Sequence, residues 1–240
     1  MRRLLDSAPL REALLLWALS FVAILLAQAT AAWLAKPVAT VAFLYLPLWA
    51  MRRRGEDYQD YGLTFRAWRE DLRLVVVVCL LVLPLFTAGF WLATQLRPQL
   101  PGWAQVVLAP LTGHARTFHA RLPSGFALWV VDQLFVVALP EEFFFRGYLQ
   151  ARLGLVWPGG ARVLGATLGP AFLLTAVLFA VGHLAVFHVW RLAVFFPALL
   201  FGYLRARTGT VVGSTLVHAI FNLYSLFLDT SFTPLWVRQH

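Results

Sequence analysis

Two adjacent glutamates and an arginine open the chemistry of this chain. The stretch Pro140-Glu141-Glu142-Phe143-Phe144-Phe145-Arg146 sets Glu142 and Arg146 four residues apart, so on a helix they share a face and can pair. Glu141 is turned about 100° from Glu142 and is left without that partner. The two carboxylates should therefore differ. Arg146 would hold Glu142 ionised, whereas desolvation would raise the pKa of Glu141, and a carboxylate of raised pKa suits a general base near neutral pH. The alternative for this motif alone is a structural ion pair near the helix end with both glutamates solvated.

Two further segments carry polar groups inside apolar runs. His183 ends Phe179-Ala180-Val181-Gly182-His183; a lone histidine there is more often a packing residue bonded to a neighbouring helix. His188 follows at the helix end, where an interfacial position is expected. His218 and Asn222 are four apart and share a stripe, and such a stripe can also glue helices together. Small neighbours (Gly182, Gly213, Ser214, Ala219) allow close helix approach.

Taken together, one unpaired carboxylate, two imidazoles and an amide form a set for activating and stabilising. A glutamate could take a proton from water, one histidine could orient that water, and histidine with asparagine could donate to a developing oxyanion. No serine, threonine or cysteine stands in a nucleophile motif, so hydrolysis by activated water is the simplest chemistry. Zinc held by Glu and His is the competing chemistry, but HExxH is absent and the ligands come singly from different segments; no metal and no cofactor are expected. Asp132 falls about 180° from Glu141 on an ideal helix, and a structural partner, Arg191, is expected for it. His114 and His119 are expected in solvent.

The elements that must position these groups cross a membrane. Of 240 residues, 60% are hydrophobic and 13% charged, and the mean hydropathy is +0.73. Soluble domains carry about 25% charged residues, so an ordinary cytosolic enzyme is excluded, as is a disordered or nucleic-acid-binding tail. The net charge of +9 comes from arginines at the ends of apolar runs, where membrane proteins keep them. Cys79 is the single cysteine, which rules out a disulfide framework. Apolar runs predict an all-α polytopic bundle of about seven transmembrane helices, near Ala13–Ala35, Pro37–Met51, Leu74–Leu96, Ser124–Leu149, Leu168–Phe187, Val189–Leu204 and Thr210–Leu228. The second and sixth are short, so one of them could be re-entrant.

With the N-terminus inside, Arg2, Arg3, Arg11, Arg52, Arg53, Arg54, Arg66, Arg69, Arg73, Arg152, Arg162, Arg205 and Arg207 fall on the cytoplasmic side. Lys36, Arg97, Arg116, Arg121, Arg191 and Arg238 fall on the other. That asymmetry favours N-in and C-out. Tyr61–Arg73 mixes aromatic and charged residues as an interfacial helix would, and Arg97–Pro123 is the longest external loop. The first apolar run is long for a signal-peptide core. Residues 1–240 read as a single membrane domain, with N-terminal helices and loops in 1–123 and the chemistry-bearing core in 124–228.

Glu-Glu-x-x-x-Arg at 141–146, Phe-x-x-x-His at 179–183 and His-x-x-x-Asn at 218–222 occur in that order, each inside a predicted span. This pattern resembles the CPBP family of intramembrane glutamic endopeptidases, which includes type II CAAX prenyl proteases and bacteriocin-processing or immunity proteins. The resemblance covers about Ser124–Leu228. It implies that Glu141 and His183 activate water, that His218 and Asn222 stabilise the oxyanion, and that Glu142 and Arg146 complete the first motif. It implies no obligatory cofactor, and a membrane-associated peptide or protein as substrate. One lysine against nineteen arginines hints at a GC-rich bacterial genome and so at an inner-membrane location. Some bacterial relatives of the family look like sorting proteases that trim C-terminal anchors of exported proteins. Two other classes stay open on the residues alone: a non-catalytic binding, immunity or scaffold protein, and a small transporter using intramembrane Glu and His as a proton relay.

Overall fold

An unbroken helix through the first two apolar runs would be about 70 Å long, more than twice the roughly 30 Å hydrocarbon layer, so the chain has to turn back. A computed structural model, which describes residues 7–96, 99–105, 117–186 and 188–233, puts the turn at Ala31. That residue is extended (φ −159°, ψ 120°) between α1, Ala8–Thr30, and α2, Ala32–Arg54. The expected first helix to Ala35 and short second helix are both corrected. Each has 23 residues, and Pro37 and Pro47 lie inside α2 rather than bounding it. Helix α3, Trp68–Leu96, has 29 residues. Arg2, Arg3, Arg97, His114, Arg116 and Arg238 lie outside the described residues.

The fourth helical rod, α4, is not uniformly α-helical. Its α-helical pieces Phe126–Val131, Leu139–Glu142 and Gln150–Val156 alternate with π-helical Asp132–Ala138 and Phe143–Leu149. Helix α5, Pro170–Gly182, ends in a 3₁₀ turn, His183–Val186. A second 3₁₀ segment, Val189–Val194, leads into α6, Phe195–Thr208, and the last helix is α7, Val212–Ser231. Two short antiparallel ribbons interrupt the all-α fold. One pairs β1, Thr117–Phe118, with β4, Phe232–Thr233; the other pairs β2, Ala161–Val163, with β3, Ala166–Leu168.

Among the described residues three helices, α1 to α3, are long and apolar enough to cross a membrane. Helices α5 and α6 are shorter, with 13 and 14 α-helical residues. The helices pack α1 on α2, α3 on α7, and α6 on both α5 and α7. At the centre, Phe143, Phe144, Phe145, Tyr148 and Phe179 are buried. Phe144 meets Phe43 of α2 at 4.7 Å between ring centroids, and Phe145 meets Phe179 edge-on at 5.0 Å. The second π segment thus faces its aromatic side chains into the bundle on several sides.

One end of the bundle is tied by charge. Glu12 of α1 accepts from Arg54 and Tyr148, with Arg152 Nη2 3.6 Å away. Glu56 accepts from Arg54 Nε at 2.7 Å and Tyr61 Oη at 2.6 Å, and the Arg54 hydrogen bond holds its carboxyl below the usual range. The Val211 amide donates to Gly62 O at 2.9 Å, joining the α2–α3 loop to the turn before α7.

A buried aspartate sets α7 against α3. Asp71 is fully buried and accepts from Thr210 Oγ1 at 2.6 Å. A Cβ on Gly213 would come 2.9 Å from Asp71 Oδ1, so the carboxylate lies against the first turn of α7, where the helix dipole favours negative charge. Thr210→Val leaves that carboxylate without its donor and is expected to cost about 1.5–3 kcal/mol. Thermal unfolding in detergent checks this, and Thr210→Ser should restore the wild-type midpoint.

Candidate active site

The polar residues of the three segments meet because α4, α5 and α7 cross at the middle of the fold. Glu142 and Arg146 are both buried, and Arg146 Nη1 donates to Glu142 Oε1 at 3.1 Å. Arg146 Nη2 also donates to Ala198 O at 3.2 Å, and its guanidinium lies over the Phe179 ring at 4.2 Å. The pairing read from the four-residue spacing is present, and aromatic faces enclose it.

Glu142 Oε1 takes a second hydrogen bond, 2.9 Å from His218 Nδ1. With that oxygen accepting, His218 Nδ1 carries the proton and Nε2 is left free. Nε2 lies 3.9 Å from Glu141 Oε2, an oxygen that is buried without a hydrogen-bond partner. The ring stacks on Phe201 at 4.9 Å and 16°. Glu142 therefore does more than pair with Arg146. It orients the imidazole that faces Glu141, a link between helices that spacing within one helix could not disclose.

His183 begins the 3₁₀ turn after α5. Its Nδ1 is 2.8 Å from Phe179 O. A carbonyl oxygen only accepts, so Nδ1 is the donor and Nε2 keeps its lone pair. Glu141 and His183 both line a cavity of about 360 Å³ between α1, α2, α4 and the end of α5. Its wall includes Trp17, Lys36, Thr40 and Arg191. Among the described residues, His218 and Asn222 do not line this cavity. His218 stands behind Glu141, and Asn222 Nδ2 donates to Gln133 Oε1 at 2.8 Å. The acid and one imidazole thus share the cavity, and the second imidazole adjoins the acid from outside it.

Asp132 pairs with Lys36 Nζ at 2.8 Å, not with Arg191. Arg191 was expected because it falls on the same external side, but α4 packs its π segment on α2, which brings Lys36 to Asp132. Thr40 of α2 donates to Val136 O at 2.8 Å within the same π segment, giving a partner to a carbonyl of the irregular ladder. Arg191 instead faces the cavity, its Nε buried without a partner. Sequence reasoning missed Gln133; an amide in the apolar run Phe126–Val137 was the available signal. His188 is exposed and stacks on Trp190 at 6.3 Å. Gly182 is not needed for close approach, since a Cβ there would make only ordinary contacts, the nearest at 3.8 Å to Trp17 Nε1.

The six polar residues fall within one matched segment. Residues 123–224 match the family model described as type II CAAX prenyl endopeptidase Rce1-like. Over this segment the chain is similar to the CAAX proteases. The family so matched is one of proteases, which are hydrolases. The matched segment begins at the head of α4 and ends in α7, taking in each helix that supplies a polar group to the centre. No curated protein and no solved structure matches the chain.

Proposed function

We propose that this protein is an intramembrane endopeptidase of the CAAX protease family that hydrolyses a peptide bond of a membrane-associated protein with water activated by Glu141. The observation that carries the reading is the cavity shared by Glu141 and His183, inside a bundle with apolar spans. A water there can donate to Glu141 and to His183 Nε2 at once, which aims its lone pair at a substrate carbonyl. Attack forms the carbon–oxygen bond and passes the water proton to Glu141. The tetrahedral oxyanion then collapses, the carbon–nitrogen bond breaks, and the leaving amine takes the proton from Glu141.

Stabilisation of the oxyanion falls to Asn222 in this reading, while His218, its Nδ1 proton engaged by Glu142, stands beside Glu141. The Asn222 amide has two N–H groups, one engaged with Gln133 and the other able to turn to substrate. The cavity's apolar wall suits a hydrophobic segment, and the unpaired Arg191 Nε offers a donor to a carbonyl or carboxylate of the bound chain. Processing of C-terminal sorting or anchor segments of exported proteins fits such a site, in a bacterial inner membrane with the N-terminus cytoplasmic.

The test compares the termini of membrane proteins in cells carrying wild type or Glu141→Gln. Truncated products confined to the wild type support the reading; identical termini overturn it. Asn222→Ala is expected to slow cleavage of a substrate so identified by about 10²–10³-fold, the loss typical of one oxyanion donor, mainly in kcat. A Gln133→Ala variant should show a smaller loss, because it frees the Asn222 amide rather than removing it.

A further inference from the structure

Away from the cavity, two guanidinium groups meet without an acid. Arg205, in the last turn of α6, has its Nε buried with no hydrogen-bond partner. Arg66 is exposed in the α2–α3 loop, and its Nη2 reaches Gly209 O at 3.4 Å. A Cβ on Gly209 would lie 2.7 Å from Arg66 Nη2 and 3.9 Å from Arg205 Nη1, so the two side chains flank one point. Among the described residues neither makes an ion pair, whereas nearby Arg207 has Glu70 at 2.8 Å.

Like charges brought together at a protein surface repel, and a guanidinium without an acceptor forfeits its hydrogen bonds. The backbone nonetheless makes room for this pair. Gly62 and Gly209 adopt φ of +86° and +74°, and a Cβ on Gly62 would strike Arg205 Nε at 2.8 Å. Both glycines are bound into the link between the loop and the head of α7, through Val211 N to Gly62 O and Gly209 N to Arg205 O, each 2.9 Å. The cations are therefore held in a built recess rather than on mobile stems.

We propose that Arg66 and Arg205 form a binding site for a phosphate group, supplied by the headgroup of an anionic phospholipid. Two planar forks on one point suit the several oxygens of a phosphodiester. The lipid source is favoured by the flanking side chains. Phe65 is 74% exposed and Trp68 49% exposed, and the Arg69 guanidinium lies 5.3 Å over the Trp68 ring. Aromatic side chains beside cations of this kind sit at the headgroup level of a bilayer. A phosphate at Arg66 and Arg205 would then lie in the plane in which Phe65 and Trp68 are anchored.

The site is tested on the full chain in neutral detergent, with native mass spectrometry following titration of phosphatidylglycerol, phosphatidylcholine or inorganic phosphate. Phosphatidylglycerol should bind wild type with one tight site that phosphatidylcholine does not fill. Arg66→Gln should weaken that site about tenfold, the loss of one charge-assisted contact, and Arg66→Gln with Arg205→Gln should abolish it. Arg66 is exposed, so its single variant reads the site even where the double variant fails to fold. Arg52→Gln, at an exposed arginine elsewhere on the chain, should leave the tight site unchanged. The proposal is overturned by equal binding of phosphatidylcholine, by equal weakening in Arg52→Gln, or by unchanged affinity in Arg66→Gln. Inorganic phosphate competing as strongly as the lipid would overturn the lipid source.

Discussion

Replacing Glu141 by glutamine is expected to reduce peptide cleavage by about 10²–10⁴-fold, the contribution of a positioned general base, while thermal unfolding stays close to that of wild type. The two readouts separate because of how Glu141 is held. Its Oε2 has no hydrogen-bond partner, and His218 Nε2 is 3.9 Å away from it. Glutamine has the same shape and leaves the cavity lined, but it cannot accept a proton from water. Glu142→Gln behaves differently, since Glu142 Oε1 bonds both Arg146 and His218, and there activity and stability should fall together. Single-turnover cleavage and detergent melts on the two variants check the contrast. A Glu141→Gln protein that still cleaves at wild-type rate would remove Glu141 from the chemistry.

Hydropathy located most helices of this bundle, because a run of apolar residues is a property of the sequence itself. It could not place the turn between α1 and α2, where Ala31 breaks the helix without a glycine or proline beside it. Nor could it see that Pro37 and Pro47 are absorbed within α2, as neighbouring helices allow in a membrane protein. The π segments of α4 leave no mark in composition, since they differ from α-helix only in which carbonyl each amide finds. Arg191 was the expected partner of Asp132 from the external side, and the packing of α4 on α2 gives it Lys36 instead.

The Glu142–Arg146 pair was legible because four-residue spacing fixes a face whatever the tertiary structure. The bonds between helices were not. That Glu142 orients His218, that Gln133 takes the Asn222 amide, and that Arg191 turns to the cavity all depend on how α4, α5 and α7 cross. The motif spacings named the residues, and only packing assigned their partners. The same packing divides the set into a wet part, Glu141 and His183, and a dry part centred on Glu142 and Arg146.

That dry part gives the largest expected effect on stability. Arg146→Met removes the cation opposite Glu142, both groups being within 1% of full burial, and breaking a buried pair in this way costs about 3–5 kcal/mol. The loss includes the hydrogen bond to Ala198 O and the contacts with the Phe179 and Phe201 rings, at 4.2 and 5.2 Å from the guanidinium carbon. A protein so weakened should melt well below wild type and expose its core aromatic residues to protease. Adding Glu142→Leu to Arg146→Met removes the stranded charge, so much of the lost stability should return, because a buried ion pair is replaceable by apolar residues of similar volume. Cleavage should not return with it. His218 Nδ1 would have lost its acceptor, and the imidazole beside Glu141 would no longer be held in one orientation. Recovery of the melting midpoint without recovery of activity is thus the expected result, and recovery of both would show that the pair serves packing alone.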